Sequence, residues 1–398
     1  MKLATFFVLT ATLSGVALAA EVWPEHISKP GANGWRCNVV QADPEDHGPD
    51  GINIHDWDCD GQLDLFVNYE EGKYSRLYFN PGKNAVRDPW PEFVEFKHGH
   101  CEDSGMGDLD NDGDIDYIAN GGWVYFNPGK SNVRHASHWT KMTLFNEEQR
   151  VPTVFDVDGD GLNDLIVGAS KWYKQPEKEK HKAENWVDYR IGKNRWPMNC
   201  IMNDVDGDGD ADMVVPDRGV ETCWYVNPGK DKVTGEWERK TLHAHHEPMF
   251  MTVADVNGDR IDDFVITGGS RGTLAKKLII LLRTNKSGVP TFKELVIDQP
   301  CGNFPKGVAA MDLDGDPRKS EIVVIPKEGD IWTTTYVGDS MQADRWRAAP
   351  IRVPGAQTRK KMDNVYLGDL DGDGDLDIAT TEENGGWGVI WFENPANR

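Results

Sequence analysis

A chain of 398 residues is long enough for one large β domain or two ordinary ones. Its formal charge of −23, from 66 acidic and 43 basic residues, excludes the basic footprint that nucleic-acid binding needs. Beyond the N-terminus no stretch approaches the roughly 18 apolar residues of a membrane span.

Residues 1–20 read as a secretory signal: Lys2 supplies the charge, Phe6 to Val16 is largely apolar, and Ala17-Leu18-Ala19 is a small-x-small cleavage site. The alternative is a retained N-terminal anchor. The expectation is a secreted or cell-envelope protein whose residues 21–398 form one domain without a membrane span. In such a compartment the six cysteines are permitted to pair, and the sequence leaves the pairing open. No C-x-x-C pair is present, which argues against a thiolate zinc site.

Acidic loops of the form D-x-D-x-D-G-x-x-D then recur along the chain. Five carry all four carboxylates: Asp56/Asp58/Asp60/Asp64, Asp108/Asp110/Asp112/Asp116, Asp156/Asp158/Asp160/Asp164, Asp204/Asp206/Asp208/Asp212 and Asp369/Asp371/Asp373/Asp377. A sixth, Asp255/Asn257/Asp259/Asp263, has an amide at position 3 and Arg260 in place of glycine at position 6. A seventh, Asp312/Asp314/Asp316, has Pro317 at position 6, Ser320 at position 9 and Glu321 one residue late. The starts are 52, 48, 48, 51, 57 and 57 residues apart in chain order. A period of this size marks a repeat architecture.

Clustered carboxylates on a short turn make a hard-oxygen cage suited to Ca²⁺. The EF-hand reading fails because position 12 is never Glu and β-rich runs such as Leu65-Phe66-Val67 and Met213-Val214-Val215 follow the loops. The cages hold 26 of the 66 acidic residues, and seven Ca²⁺ would bring the formal charge to −9. Much of the acidity is therefore expected to be cage and not free surface field.

Each repeat reads as four short strands. In the unit around Asp204 these are Met198 to Asn203, Asp212 to Val215, Glu221 to Val226 and Trp237 to His243, denoted A to D. Strand C ends at an Asn-Pro step at Asn80, Asn127, Asn227 and Asn394, where proline stops the ladder. Strand D pairs an aromatic with an aliphatic residue: Trp139 and Leu144, Trp186 and Ile191, Trp237 and Leu242, Phe292 and Ile297, Trp346 and Ile351. The first repeat departs from this, with Phe93 to Lys97 as its D strand. The last repeat lacks a D strand, and the same pattern reappears at Trp35 and Val40. The expectation is an all-β, seven-bladed β-propeller whose ring is closed by an N-terminal strand at residues 34–41.

These loops and strand order resemble the FG-GAP/VCBS family of calcium-binding β-propellers, which includes the integrin α-chain head. With no Phe-Gly or Gly-Ala-Pro element, the bacterial-type branch is the nearer resemblance. No Arg-Gly-Asp or adhesion insert is present, so integrin function does not carry over.

Functional residues are expected on the D-to-A connections, on the face opposite the acidic loops. Six of the 11 histidines fall there: His47, His98, His100, His243, His245 and His246. His98, His100, Arg195, Trp196, His245, His246 and Lys361 are the candidate ligand-binding residues. A glycan or an extracellular protein is the expected partner. A polysaccharide-degrading enzyme on the His-rich face, a His-bound transition metal and a structural adhesion component are the alternatives, and inert polar loops are the plain reading. No H-E-x-x-H, Walker or dinucleotide motif is present.

Overall fold

The computed structural model describes residues 34–396 except 44, 46, 147–149, 246, 270, 273, 299–300, 317, 339–340 and 353–360. The signal-like segment, His246 and Pro317 therefore lie outside the described residues.

Seven four-stranded antiparallel sheets make up the chain. Blade 1 comprises Pro49–His55, Asp64–Tyr69, Tyr74–Tyr78 and Phe93–Lys97, and blade 2 comprises Ser104–Gly107, Asp116–Ala119, Trp123–Phe126 and Thr140–Thr143. Blade 3 is Thr153–Phe155, Asp164–Val167, Lys171–Lys174 and Val187–Arg190, and blade 4 is Ile201–Asn203, Asp212–Asp217, Glu221–Val226 and Glu238–His243. Blade 5 is Met251–Ala254, Asp263–Thr267, Leu278–Arg283 and Phe292–Ile297, and blade 6 is Pro305–Met311, Glu321–Pro326, Ile331–Tyr336 and Trp346–Ile351. Blade 7 takes Val365–Gly368, Asp377–Glu382 and Gly388–Glu393 from the C-terminal end, and Arg36–Gln41 pairs as its outer strand, with Asn38 opposite Trp391. The architecture is an all-β seven-bladed propeller.

The blades stack through seven apolar clusters, one at each seam, because both faces of a central strand must be covered. B strands are accordingly buried along their length, as in Asp64–Tyr69 and Asp263–Thr267. The repeated tryptophans sit in these seams, three with the indole N–H satisfied: Trp139 donates to the Val133 carbonyl at 2.8 Å, Trp186 to Lys180 at 2.8 Å and Trp237 to Val233 at 3.0 Å, while the Trp346 N–H is buried without a partner. Blade 1, which breaks the sequence pattern, solves the same problem with Trp90. It is 2 % exposed and donates to the Val86 carbonyl at 2.9 Å. Phe93, at the D-strand position, is instead exposed beneath the Arg76 guanidinium.

The A strands of all seven blades line a central channel of about 620 Å³. Acidic loops follow the A strands at one end, and the D-to-A connections enter at the other. No disulfide joins the six cysteines. Burial pushes the Cys101, Cys200 and Cys223 thiols up to about 12, away from the thiolate form; Cys101 and Cys223 lie in the core and Cys200 lines the channel.

Trp90→Ala should lower stability by about 3–5 kcal/mol, as should Trp139→Ala, because each empties a seam of a buried indole. Urea unfolding reads this. A Trp90→Ala midpoint equal to wild type would show that blade 1 does not use Trp90 as the other blades use theirs.

Candidate functional site

The loop at one end of the channel is built the same way in blade after blade. Position 1 wraps the turn: the Asp56 carboxylate accepts the N–H groups of Asp60 at 3.0 Å and Gly61 at 2.9 Å. Asp108, Asp156, Asp204 and Asp369 repeat this. Position 6 must then take positive φ, which glycine does without strain at Gly61, Gly113, Gly161, Gly209 and Gly374. Arg260 occupies the same place at φ +64° and still donates its N–H to Asp255, at a conformational cost that glycine avoids.

Position 9 opens strand B and is buried. Asp64 accepts the Trp57 N–H at 3.0 Å from its own loop and the Asn80 N–H at 2.8 Å from the end of strand C. Asp116, Asp164, Asp212, Asp263 and Asp377 do the same. In blade 6, Glu321 rather than Ser320 opens strand B, and its longer side chain accepts the Leu313 N–H at 2.9 Å. Asp316 of that loop is held by Arg318 at 2.7 and 2.8 Å.

Could these loops hold a cation? One carboxylate oxygen each from positions 1, 3 and 9 lies within 4.8 Å of the others in the loops of Asp56, Asp108 and Asp156. At position 3 the carboxylates of Asp58, Asp110, Asp158 and Asp371 meet Arg134, His181, Lys174 and Arg87 through one oxygen. The other oxygen is buried and unpartnered in Asp110, Asp158 and Asp371, as is Asp206 Oδ1. An orphaned carboxylate oxygen facing two further carboxylates fits a hard divalent cation.

Position 5 departs from the expectation of four equal carboxylate ligands. Asp60, Asp112, Asp160, Asp208 and Asp259 are exposed at the loop tip, and Asp373 is half-buried. Each turns Oδ1 to the backbone N–H two residues on: Asp208 accepts that of Asp210 at 3.0 Å, Asp259 that of Ile261 at 2.9 Å and Asp373 that of Asp375 at 3.2 Å. Asp60, Asp112 and Asp160 do the same. A short acidic side chain readily closes such a local turn, and here that bond competes with turning inward to a cation. Asp314 departs at position 3. It is exposed where Asp58, Asp110 and Asp371 are buried, although the Asp316 N–H it accepts at 3.0 Å has counterparts at Asp58 and Asn257. With Asp314 exposed and Asp316 held by Arg318, the blade 6 loop presents the poorest cage.

The opposite end of the channel carries a ring of different chemistry. The residue six before each acidic loop is, in blade order, Asp50, Glu102, Arg150, Met198, Met249, Lys306 and Asp363. Five are charged and two adjacent ones are apolar, so the mouth is lopsided. Arg150 pairs with Glu102 and, at 3.2 Å, with Asp103. Lys306 pairs with Asp363, Lys361 with Glu383 at 2.5 Å, and His100 with Glu70 at 2.7 Å. Burial pushes Asp103 up to about 7 and also raises Asp50, Glu70 and Glu383, with neighbouring carboxylates adding to the effect. Burial likewise lowers Lys306, while at Glu102 it is outweighed by Arg150, which holds that carboxyl low.

The candidate ligand residues divide. Lys361 and His100 belong to the charged mouth. Trp196 and Arg195 are exposed on the rim, Trp196 with the guanidinium groups of Arg150 and Arg218 at 5.9 and 5.4 Å from its ring. Arg218 in turn pairs with buried Glu247 at 3.2 Å. His98 lies between blades 1 and 2, its ring nitrogens on Ser75 Oγ and the Gly99 carbonyl, both at 2.7 Å. His245 is buried against His243 at 2.7 Å. Burial lowers both His98 and His245 to about 4, which favours the neutral imidazole at neutral pH. Asp50, Glu70, Arg218, Lys306, Asp363 and Glu383 were not singled out by sequence. The ring position six before each loop was the signal that would have found Asp50, Lys306 and Asp363.

Comparison with known proteins agrees with this architecture. The FG-GAP-like repeat model matches residues 56–119, 156–215 and 204–266. No curated protein sequence matches the chain. The BBS1N chain, solved in complex with ARL6DN and soaked with mercury, superimposes with TM-score 0.56 at 10% identity, covering 89% of this chain and 93% of that one. A catalytically inactive virginiamycin B lyase from Staphylococcus aureus with quinupristin gives TM-score 0.54 at 11% identity, covering 90% and 99%. Both likenesses are of fold. No helix among the described residues is long and apolar enough to cross a membrane.

The position-9 carboxyls yield a pH prediction for the metal-free chain. Burial, with the neighbouring loop carboxylates, raises Asp64, Asp116 and Asp377 to about 8 and Asp164, Asp212 and Asp263 to about 7. The folded state then binds more protons than the unfolded state, whose carboxyls titrate near 3.8, so stability falls as pH rises through this range. The lowered His98 and His245 act oppositely, but only below their ordinary value of 6.5. In excess EGTA the melting temperature should therefore fall from pH 6.5 to pH 8. A rise over that window would show that these carboxyls are not protonated in the folded chain.

Proposed function

We propose that this seven-bladed propeller of FG-GAP-like repeats is a calcium-loaded binding module of the cell envelope or extracellular space. It takes a glycan, or an extracellular protein, at the channel mouth opposite the acidic loops. The carrying observation is Trp196, 48 % exposed on the rim beside Arg150 and Arg218. An exposed indole flanked by guanidinium groups offers a sugar ring a stacking face and an acidic substituent a charge partner. The ion pairs behind it hold Arg150 and Arg218 in place before a ligand arrives, which reduces the ordering cost of binding.

Calcium enters this reading as a structural ion. Positions 1, 3 and 9 of each full loop would hold it, with position 5 completing the cage from the exposed side. Asn257 would substitute in blade 5 and Glu321 in blade 6. Bound there, the ion supplies the charge that lets closely packed carboxylates stay ionised. The chain's own part is to fix their geometry through the backbone N–H groups that positions 1 and 9 accept.

A polysaccharide-degrading enzyme is the second reading. It is favoured by Asp103 and Glu383, each pushed up to about 7 and each within the field of the lowered Lys306, since acid–base catalysis uses groups poised near neutrality.

Two experiments test these readings. Neutral and acidic polysaccharides are immobilised and the calcium-loaded chain is passed over them, with size exclusion following the length of soluble substrate. Retention without shortening supports the binding module, and shortening moves the assignment to the enzyme. Trp196→Ala should weaken retention at least tenfold with its melting temperature unchanged, and retention equal to wild type would remove the rim from the reading. Separately, excess EGTA at pH 8 should lower the melting temperature by roughly 10 °C or more, on the order of the loss of several ions each worth a few kcal/mol. An unchanged melting curve would refute the calcium assignment.

A further inference from the structure

Apart from the acidic loops, one carboxylate group in this chain is buried beyond what a ligand-facing surface requires. Asp50 comes from strand A of blade 1, Asp363 from the connection entering blade 7, and Glu383 from the turn that follows strand B of blade 7. All three are buried. One carboxylate oxygen from each lies within 4.8 Å of the other two. Residues next to Asp50 and Asp363, namely Gly51 and Asn364, line the channel, so the group sits at its mouth.

Two lysines answer part of this charge. Lys306 meets Asp363, and Lys361 meets Glu383 through Oε2 at 2.5 Å. Three carboxylates against two ammonium groups leave one negative charge unmatched. Glu102 and Asp103 nearby are already engaged by Arg150, and Glu70 by His100; Lys327 stands close enough to act on Lys306, but Lys306 and Lys361 are the ion-pair partners shown for the three carboxylates among the described residues. The shortfall shows at a specific atom: Glu383 Oε1 is buried and has no hydrogen-bond partner. A buried carboxylate oxygen without a donor is costly, and a lysine already engaged on the other oxygen does not remedy it.

We infer that Asp50, Asp363 and Glu383 hold one hard divalent cation of the Ca²⁺, Mg²⁺ or Mn²⁺ class at the channel mouth, on the opposite face from the acidic loops. The donor set is all oxygen and all carboxylate, which favours these ions over Zn²⁺ or Cu²⁺. The ion gives Glu383 Oε1 its missing partner. It also turns the formal charge of the five-residue group from −1 to +1, which makes the mouth attractive to an acidic ligand. The site does not depend on the glycan reading, because the argument uses only this chain's own buried charges.

Crystals of the full chain grown in calcium chloride and soaked in manganese chloride provide the direct test, read by anomalous diffraction at the manganese edge and by difference density. Density for either ion among the three carboxylates is the expected result. A mouth without an ion, with both lysines in place, overturns the site whatever the loops contain. In solution, Glu383→Gln and Asp363→Asn should each lose one metal equivalent by elemental analysis after dialysis against calcium. Lys361→Met should tighten Mn²⁺ binding at the mouth at least tenfold by removing a competing cation. Unchanged metal content in both carboxylate variants, with wild-type melting in calcium, would refute the inference. So would a Lys361→Met chain that loses stability without any change in metal affinity.

Discussion

A buried carboxylate at the start of strand B joins three pieces of the blade in six of the seven blades. Asp64, and its counterparts through Asp377, accept one backbone N–H from the acidic loop and another from the end of strand C. The residue that supplies the second N–H also reaches sideways. Asn80 Nδ2 donates to the Leu63 carbonyl of its own blade and to the Leu370 carbonyl of the preceding one, and Asn394 does so with Leu376 and Leu313. One acid therefore ties loop, strand and neighbouring blade together. Hydrogen bonds to a charged acceptor contribute about 1.5–3 kcal/mol each, and the pattern recurs around the ring.

This clasp explains where variation is tolerated. Blade 3 keeps the N–H donor with Gln175 in place of Asn, and blade 5 does so with Arg283, whose guanidinium donates to the Asp204 carbonyl of blade 4 at 2.9 Å. Blade 6 replaces the acid by Glu321 one residue later, and the extra methylene makes up the distance to the Leu313 N–H. Blades 3 and 5 thus keep both bonds while the donor residue changes; blade 6 keeps the bond to its loop, and Glu321 Oε1 is left buried without a partner.

The two ends of the channel use charge differently. At the loop end, like charges are repeated seven-fold and are answered from outside by Arg87, Arg134, Lys174 and His181. At the mouth, opposite charges are mixed, and the apolar arc of Met198 and Met249 breaks the symmetry. A repeated fold gives seven equivalent positions, and a ligand is recognised only where those positions differ. The mouth is where they differ.

The sequence by itself determined the all-β class, the seven repeats, the strand order and the placement of the acidic loops. These rest on local spacing, turn chemistry and periodicity, which need no knowledge of what packs against what. Spacing also made every loop carboxylate look alike. Only the folded turn separates buried Asp64 or Asp377 from Asp208, Asp259 and Asp373, which bond their own backbone, and from exposed Asp314. The sequence placed blade 1's D strand at Phe93 to Lys97, as found, but left its seam aromatic unassigned, because Trp90 reaches the seam from a different offset and only packing shows that an indole arrives at the same place. It also drew attention to His98 and His245 as functional groups. Their surroundings were decided by the tertiary structure, since burial and bonding to Ser75, Gly99 and His243 depend on how the strands pack. The charged mouth was decided by tertiary structure too. Asp50, Lys306, Asp363 and Glu383 come from blades at opposite ends of the chain, and only the closing of the ring brings them within reach of one another.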